Sequence, residues 1–141
     1  MARPLNDTAK QLYSPWGATL AAATGGIFPG MLLAGLNFRA WGEEHRARRA
    51  IRMGIWGTVV MVAIAMIIPY DVPWGRPLYQ VIQVAFVIGY FYRFQRERIA
   101  AHRAAGGGMK SIWRAIWIGV GCGLAFTALL FLLWFVIGEL T

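Results

Sequence analysis

Arg39-Ala40-Trp41-Gly42-Glu43-Glu44-His45-Arg46-Ala47-Arg48-Arg49-Ala50-Ile51-Arg52 carries five arginines and lies between two long apolar runs. A second basic stretch, Arg93 to Arg114, holds Arg93, Arg96, Arg98, Arg103, Lys110 and Arg114 and is bounded in the same way. Eleven of the chain's 14 Lys and Arg residues fall in these two stretches, which leaves only Arg3, Lys10 and Arg76 elsewhere. Membrane proteins keep basic loops on the cytoplasmic side, so this segregation predicts an orientation as well as a compartment.

Working outward, the apolar runs are Trp16 to Asn37, Arg52 to Ile68, Leu78 to Phe94 and Ile112 to Ile137. A helix crosses a bilayer with roughly 17–25 residues. In lipid a free backbone group finds no partner, and four strands cannot close a barrel, so each run is expected to be helical. Composition agrees: 58% of the 141 residues are hydrophobic, 14% are charged, and the mean hydropathy is +0.52. A soluble domain has about 45–50% apolar and about 25% charged residues. The expected architecture is therefore all-α, a single transmembrane domain over residues 1–141. It is a bundle of four transmembrane helices at about 16–38, 43–68, 78–105 and 111–138, with a kinked first helix and helical extensions into the cytoplasm.

With both basic stretches inside, the Pro69 to Pro77 connection and the carboxyl terminus fall outside, and the amino terminus falls outside too. The first run is interrupted by Gly25-Gly26-Ile27-Phe28-Pro29-Gly30. Pro29 lacks an amide hydrogen and its ring clashes with the Gly25 carbonyl, so a kink is expected. The alternative is a re-entrant hairpin, which would leave the amino terminus inside without altering any later loop. Trp41, Trp113 and Trp117 are placed near the inner surface, and Trp16, Trp74 and Trp134 near the outer one. The mildly apolar Trp16 to Ala23 segment is too short for a cleaved signal and is read as retained.

Helix ends are readable within the basic stretches. Glu44 and Arg48 stand at i,i+4, as do Arg93 and Glu97, while Glu43 and Arg46 stand at i,i+3; such pairs each stabilise a helix by roughly 0.2–0.5 kcal/mol. The second helix should start near Glu43. The third should run to about Ala105 and stop at Gly106-Gly107-Gly108, where glycine supplies a left-handed cap. Ser111 is the expected N-cap of the last helix.

Small residues form ladders. Ala18, Ala22, Gly26, Gly30 and Ala34 recur every four residues in the first run. Ala115, Gly119, Gly123 and Thr127 do so in the fourth, and Ala50, Gly54 and Thr58 in the second. Helices in lipid associate through close backbone approach, so these faces are expected to pack helices of this chain, of a second copy, or of another membrane protein. Gly121 with Ala125 offers a further face.

The chemistry-bearing residues are sparse. The net charge of +8 and the pI near 10.6 would suit nucleic acid in a soluble protein. Here the charge is expected to set topology and meet anionic lipid headgroups, with no nucleic-acid partner. Gly106-Gly107-Gly108-Met109-Lys110-Ser111 has Met where a phosphate loop needs Gly, so it reads as a plain loop. His45 and His102 lie among arginines and read as surface residues, and Cys122 as an inert apolar one, so neither metal nor cofactor is expected. The spans hold no ionisable residue away from their ends, unlike a proton-coupled exporter. Asn37, Gln80 and Gln83 are the candidates for interhelical hydrogen bonds or, in the alternative, a polar pathway. Arg46, Arg48, Arg49, Arg96, Arg98 and Arg103 form an expected basic crown on the cytoplasmic face. Ser14 and Ser111 lack an activating context, so no enzyme is expected.

Leu12-Tyr13-Ser14-Pro15, Ala23-Thr24-Gly25-Gly26, Pro29-Gly30, Leu36-Asn37-Phe38-Arg39 and Trp41-Gly42 together resemble a group of uncharacterised small bacterial multi-pass membrane proteins. Those proteins carry a Tyr-Ser-Pro start, a Thr-x-Gly-Gly-Pro-like kink and an Asn-aromatic-Arg exit. This chain departs from the pattern where Ile27-Phe28 separates Gly26 from Pro29, and the likeness is clear only over residues 12 to 42. It implies a bacterial inner membrane and no particular activity. The functional expectation is a non-enzymatic accessory, assembly or scaffold subunit associating through small-residue faces. The alternative is a passive channel or uniporter for a small solute or anion.

Overall fold

The computed structural model describes residues 10–69 and 71–140. Among them six helices follow one another: α1 (Pro15–Gly25), α2 (Ile27–Ala40), α3 (Glu44–Ile67), α4 (Gly75–Phe94), α5 (Arg96–Ala104) and α6 (Ile112–Leu140). The all-α expectation holds.

The first apolar run is two helices, not one kinked helix. Ser14 begins α1, its Oγ accepting from Gly17 N–H at 2.9 Å, and Pro15 takes the first helical position, where no amide hydrogen is needed. The helix ends at Gly26, whose φ of +88° is a conformation that side chains other than glycine's resist. The chain then doubles back. Tyr13, before α1, donates its N–H to Asn37 Oδ1 at 2.8 Å and accepts from Asn37 Nδ2 at 2.9 Å, so the start of α1 lies beside the end of α2. Ala22 faces Gly30 across this hairpin, so closely that a Cβ on Gly30 would stand 3.3 Å from that of Ala22. Pro29 causes no kink. It is the third residue of α2, where a backbone N–H would have no helical acceptor anyway.

The hairpin reverses the expected placement of the amino-terminal segment. Lys10 Nζ donates to Ala40 O at 2.8 Å, Leu12 N–H to Gly108 O at 3.2 Å, and Lys110 N–H to Leu12 O at 2.7 Å. Lys10 to Ser14 therefore sits at the basic end with Trp16, beside the two arginine stretches. The terminus itself, expected outside, falls in residues 1–9, which lie outside the described residues.

The remaining helices surround the hairpin. Along α2 runs α3: Gly54 lies against Met31, Gly57 against Ile27, and Gly35 against Ile51. Along α1 runs α6, with Ala115 against Gly17 and Gly119 against Ala21 and Gly25. Val87 of α4 packs onto Gly30. The core is accordingly small and lies within and around the hairpin: Ala18, Ala22, Met31, Leu33, Ala34, Phe38, Val87 and Phe91 are almost wholly buried.

The hairpin is short. With 11 residues α1 rises roughly 16 Å, whereas the 29 residues of α6 rise roughly 43 Å. Its tip stands level with Gly57, Gln83 and Gly119 to Gly123, and the rest of α3, α4 and α6 projects beyond it. Every residue of α6 from Thr127 to Leu140 is exposed.

Among the described residues two helices, α3 and α6, are long and apolar enough to cross a membrane. The expected set of four spans is reduced because the first run is spent on two short helices. The expected third helix, about 78–105, is also divided. Gln95 interrupts it, leaving α4 with Gln80, Gln83 and three tyrosines among its 20 residues, and α5 as a separate helix. The expected bounds of the second helix are met within a residue, as is the end of the third: Gly106 adopts φ +79° and Gly107 N–H donates to His102 O at 2.8 Å, closing a glycine cap. Ser111 stands just before α6, its carbonyl accepting from Arg114 N–H at 3.1 Å.

Candidate functional site

A helix break inside an apolar run leaves backbone groups that need partners. At the tip of the hairpin, Gly26 N–H donates to Ala22 O at 2.8 Å. The other two joints come from α4. Gln80 Nε2 donates to Ala23 O at 2.7 Å, completing the end of α1, and Gln83 Oε1 accepts from Ile27 N–H at 3.2 Å, completing the start of α2. Their i,i+3 spacing on α4 matches the two sides of one turn. The conformation at Gly26 favours glycine, and a Cβ there would stand 2.7 Å from Gln83 Oε1 and push that side chain off its bond to Ile27 N–H.

The base of the hairpin is locked in the same manner. Asn37, 1% exposed, uses its oxygen on Tyr13 N–H and its amide hydrogens on Tyr13 O and on Gln95 Oε1, the last at 3.0 Å. Gln95, equally buried, donates from Nε2 to Ala34 O at 2.9 Å. The break between α4 and α5 thus turns Gln95 into the hairpin. Sequence reasoning missed this residue, because the Arg93 and Glu97 spacing reads as one continuous helix. Asn37, Gln80 and Gln83 each hydrogen-bond a backbone group of the hairpin, Asn37 also the Gln95 side chain.

At the basic end the carboxylates organise part of the crown. Glu43 holds Arg46 at 3.0 Å and Arg98 at 2.6 Å; Glu44 holds Arg39 at 3.4 Å and Arg48 at 3.3 Å. Arg98 also lies over the Trp41 ring, 4.3 Å from its centroid, tying α5 to the α2–α3 turn. The expected Glu43–Arg46 and Glu44–Arg48 pairs are present. The Arg93–Glu97 pair is not, since the break at Gln95 falls between its members. Arg49, Arg93 and Arg103 have no carboxylate partner among the described residues, and Arg96 lies over the Tyr92 ring at 4.3 Å. Lys110 Nζ lies 4.4 Å from the centroid of the Tyr13 ring, and burial, with Arg114 second, lowers its pKa. His45 is exposed as expected. His102 is not: it is 8% exposed, its ring packed on Gly107 and its Nε2 3.2 Å from Gly108 O.

Most of the small-residue ladder is consumed inside the molecule. Ala18, Ala22, Gly30 and Ala34 are buried between α1, α2 and α4, while Gly26 makes the turn instead of continuing the face. Gly119 meets Ala21 and Thr24, and a Cβ on Gly123 would stand 3.1 Å from Thr24 O. Thr127 lies beyond the tip, exposed, its hydroxyl returned to Gly123 O at 2.9 Å. Gly121 has nothing within 4 Å of where its Cβ would be, so this face of α6 is free.

Three concavities border these features. One of about 300 Å³ lies between α3 and α4 at the far end, lined by Ile68, Arg76, Tyr79 and Gln80. Another of about 240 Å³ lies at the tip between α3 and α6, lined by Phe28, Thr58, Cys122 and Phe126. A third of about 750 Å³ occupies the angle between α4 and α5. Comparison of the chain with family models, with curated proteins and with solved structures gives no match.

Proposed function

We propose that this protein is a small, non-enzymatic integral membrane subunit of the bacterial inner membrane that assembles with another membrane protein or with its own copies. In this reading α3, α4 and α6 cross the bilayer, the α1–α2 hairpin enters from the cytoplasmic side and stops near mid-depth, and both basic stretches and Lys10 face the cytoplasm. The observation that carries the assembly role is the outer half of α6. From Thr127 to Leu140 it has no covered face, including the one continuing the Ala115–Gly119–Gly123 ladder. Helix packing in lipid comes from van der Waals contact and close approach, and a helix left bare on all sides forgoes both.

Purification in a mild detergent tests this, with a photo-crosslinking residue placed at Thr127 or Phe131. The expected result is an oligomer or a recurrent partner crosslinked through α6. A monomer with no crosslink from either position would overturn it.

A second reading, a passive conductor for a small solute or anion, draws support from two half-helix ends meeting at Gln80, which also lines a cavity with Arg76. Against it, Gln80 and Gln83 already satisfy backbone groups at that break. Flux into proteoliposomes, abolished by Gln80→Leu, would favour conduction over assembly; absence of flux for a broad ion panel would end it.

A further inference from the structure

We infer that the angle between α4 and α5 is a binding site for the phosphate group of an anionic phospholipid. The inference rests on the proposed placement of α4 across the bilayer. The break at Gln95 is held open by burial of its side chain against Asn37 and Ala34, so α5 leaves the line of α4 and a concave surface forms between them. Arg93 and Arg96 line it from opposite sides of the break. Arg93 has no carboxylate partner among the described residues, because the same break separates it from Glu97. Arg96 lies over the Tyr92 ring, 4.3 Å from centroid to guanidinium carbon, a contact through the π face that leaves N–H donors for an acceptor. Guanidinium groups match phosphate oxygens with paired hydrogen bonds, and Arg93 and Arg96 bring two of them to one groove.

The apolar side of the groove points to a lipid. Tyr92 and Phe94, 63% and 54% exposed, stand where the apolar run of α4 gives way to the basic stretch. Aromatic rings favour that boundary, which is the depth of lipid headgroups, and leave room for the start of an acyl chain. Glu97 is the carboxylate of the groove. It disfavours an anion, and Arg93 and Arg96 outweigh it, Arg98 being paired with Glu43.

Native mass spectrometry of the detergent-solubilised protein with phosphatidylglycerol or phosphatidylcholine of identical chains tests the site. The wild type should retain phosphatidylglycerol at least several-fold over phosphatidylcholine. Arg93→Ala with Arg96→Ala should abolish that preference, whereas Arg52→Ala with Arg103→Ala, which removes equal charge outside the groove, should leave it in place. Glu97→Gln should increase it. Equal loss in both double variants would overturn the site in favour of diffuse attraction, and displacement of the lipid by inorganic phosphate would overturn the lipid assignment. A protein that needs detergent yet shows no preference refutes the site alone; one that stays in solution without detergent refutes the membrane placement beneath it.

Discussion

The two ends of this molecule are built differently. From the basic end to the hairpin tip each long helix leans on the hairpin, glycines meet backbone at contact distance, and the buried amides of Asn37, Gln83 and Gln95 all have partners. Beyond the tip, every residue of α6 from Thr127 to Leu140 is exposed, and Met66 and Ile67 at the end of α3 are 84% and 79% exposed. The difference teaches that the hairpin is the organising element. Where it reaches, each long helix has one face packed on it while outward rings such as Trp113 and Trp117 stay exposed; where it stops, α6 has no packed face among the described residues.

The sharpest way to break the contrast is to compare two glycines of α6. A Cβ on Gly119 would stand 2.7 Å from Ala21 O, so Gly119→Leu should force α1 away from α6 and cost at least about 1–3 kcal/mol, seen as a fall in thermal stability in detergent. Gly121→Leu, two residues on with open space before it, should leave stability nearly unchanged. Equal effects would mean that α6 does not dock where described.

Next comes the base of the hairpin. Asn37→Leu strands Tyr13 N–H, Tyr13 O and Gln95 Oε1, and each buried group left without a partner costs about 1–3 kcal/mol. Its melting temperature should fall well below that of Gln83→Leu, which strands one backbone N–H at the tip. The smallest effect is expected at the surface: Arg48→Ala removes an exposed i,i+4 pair with Glu44 and should change stability by no more than about 0.5 kcal/mol.

How much of this was legible in the chain follows from how far the deciding contacts reach. The start of α3, the Glu43–Arg46 and Glu44–Arg48 pairs and the Gly106 cap depend on neighbours within a turn or two, and all could be read from spacing. The hairpin could not be decided in that way. Gly25-Gly26-Ile27-Phe28-Pro29 permits either a kink or a reversal, and the choice rests on Asn37 meeting Tyr13 and on Gln80 and Gln83 meeting Ala23 and Ile27 from a distant part of the chain. One signal was present: two glutamines at i,i+3 inside an apolar run need two partners, and a helix break is the nearest supply. Gln95 was hidden for the opposite reason, since flanking charges at helical spacing argued for continuity.

The chain turns back at Gly26, which in the proposed membrane placement sets Gln11 on the same side as α5 and opposite Trp74. Single cysteines at Gln11, Arg103 and Trp74, each in a Cys122→Ser background, can be labelled with a membrane-impermeant maleimide in intact spheroplasts and in inverted vesicles. Gln11→Cys should label with Arg103→Cys in inverted vesicles, and Trp74→Cys in spheroplasts. Labelling of Gln11→Cys together with Trp74→Cys would mean that the first apolar run crosses the bilayer, and would contradict the hairpin.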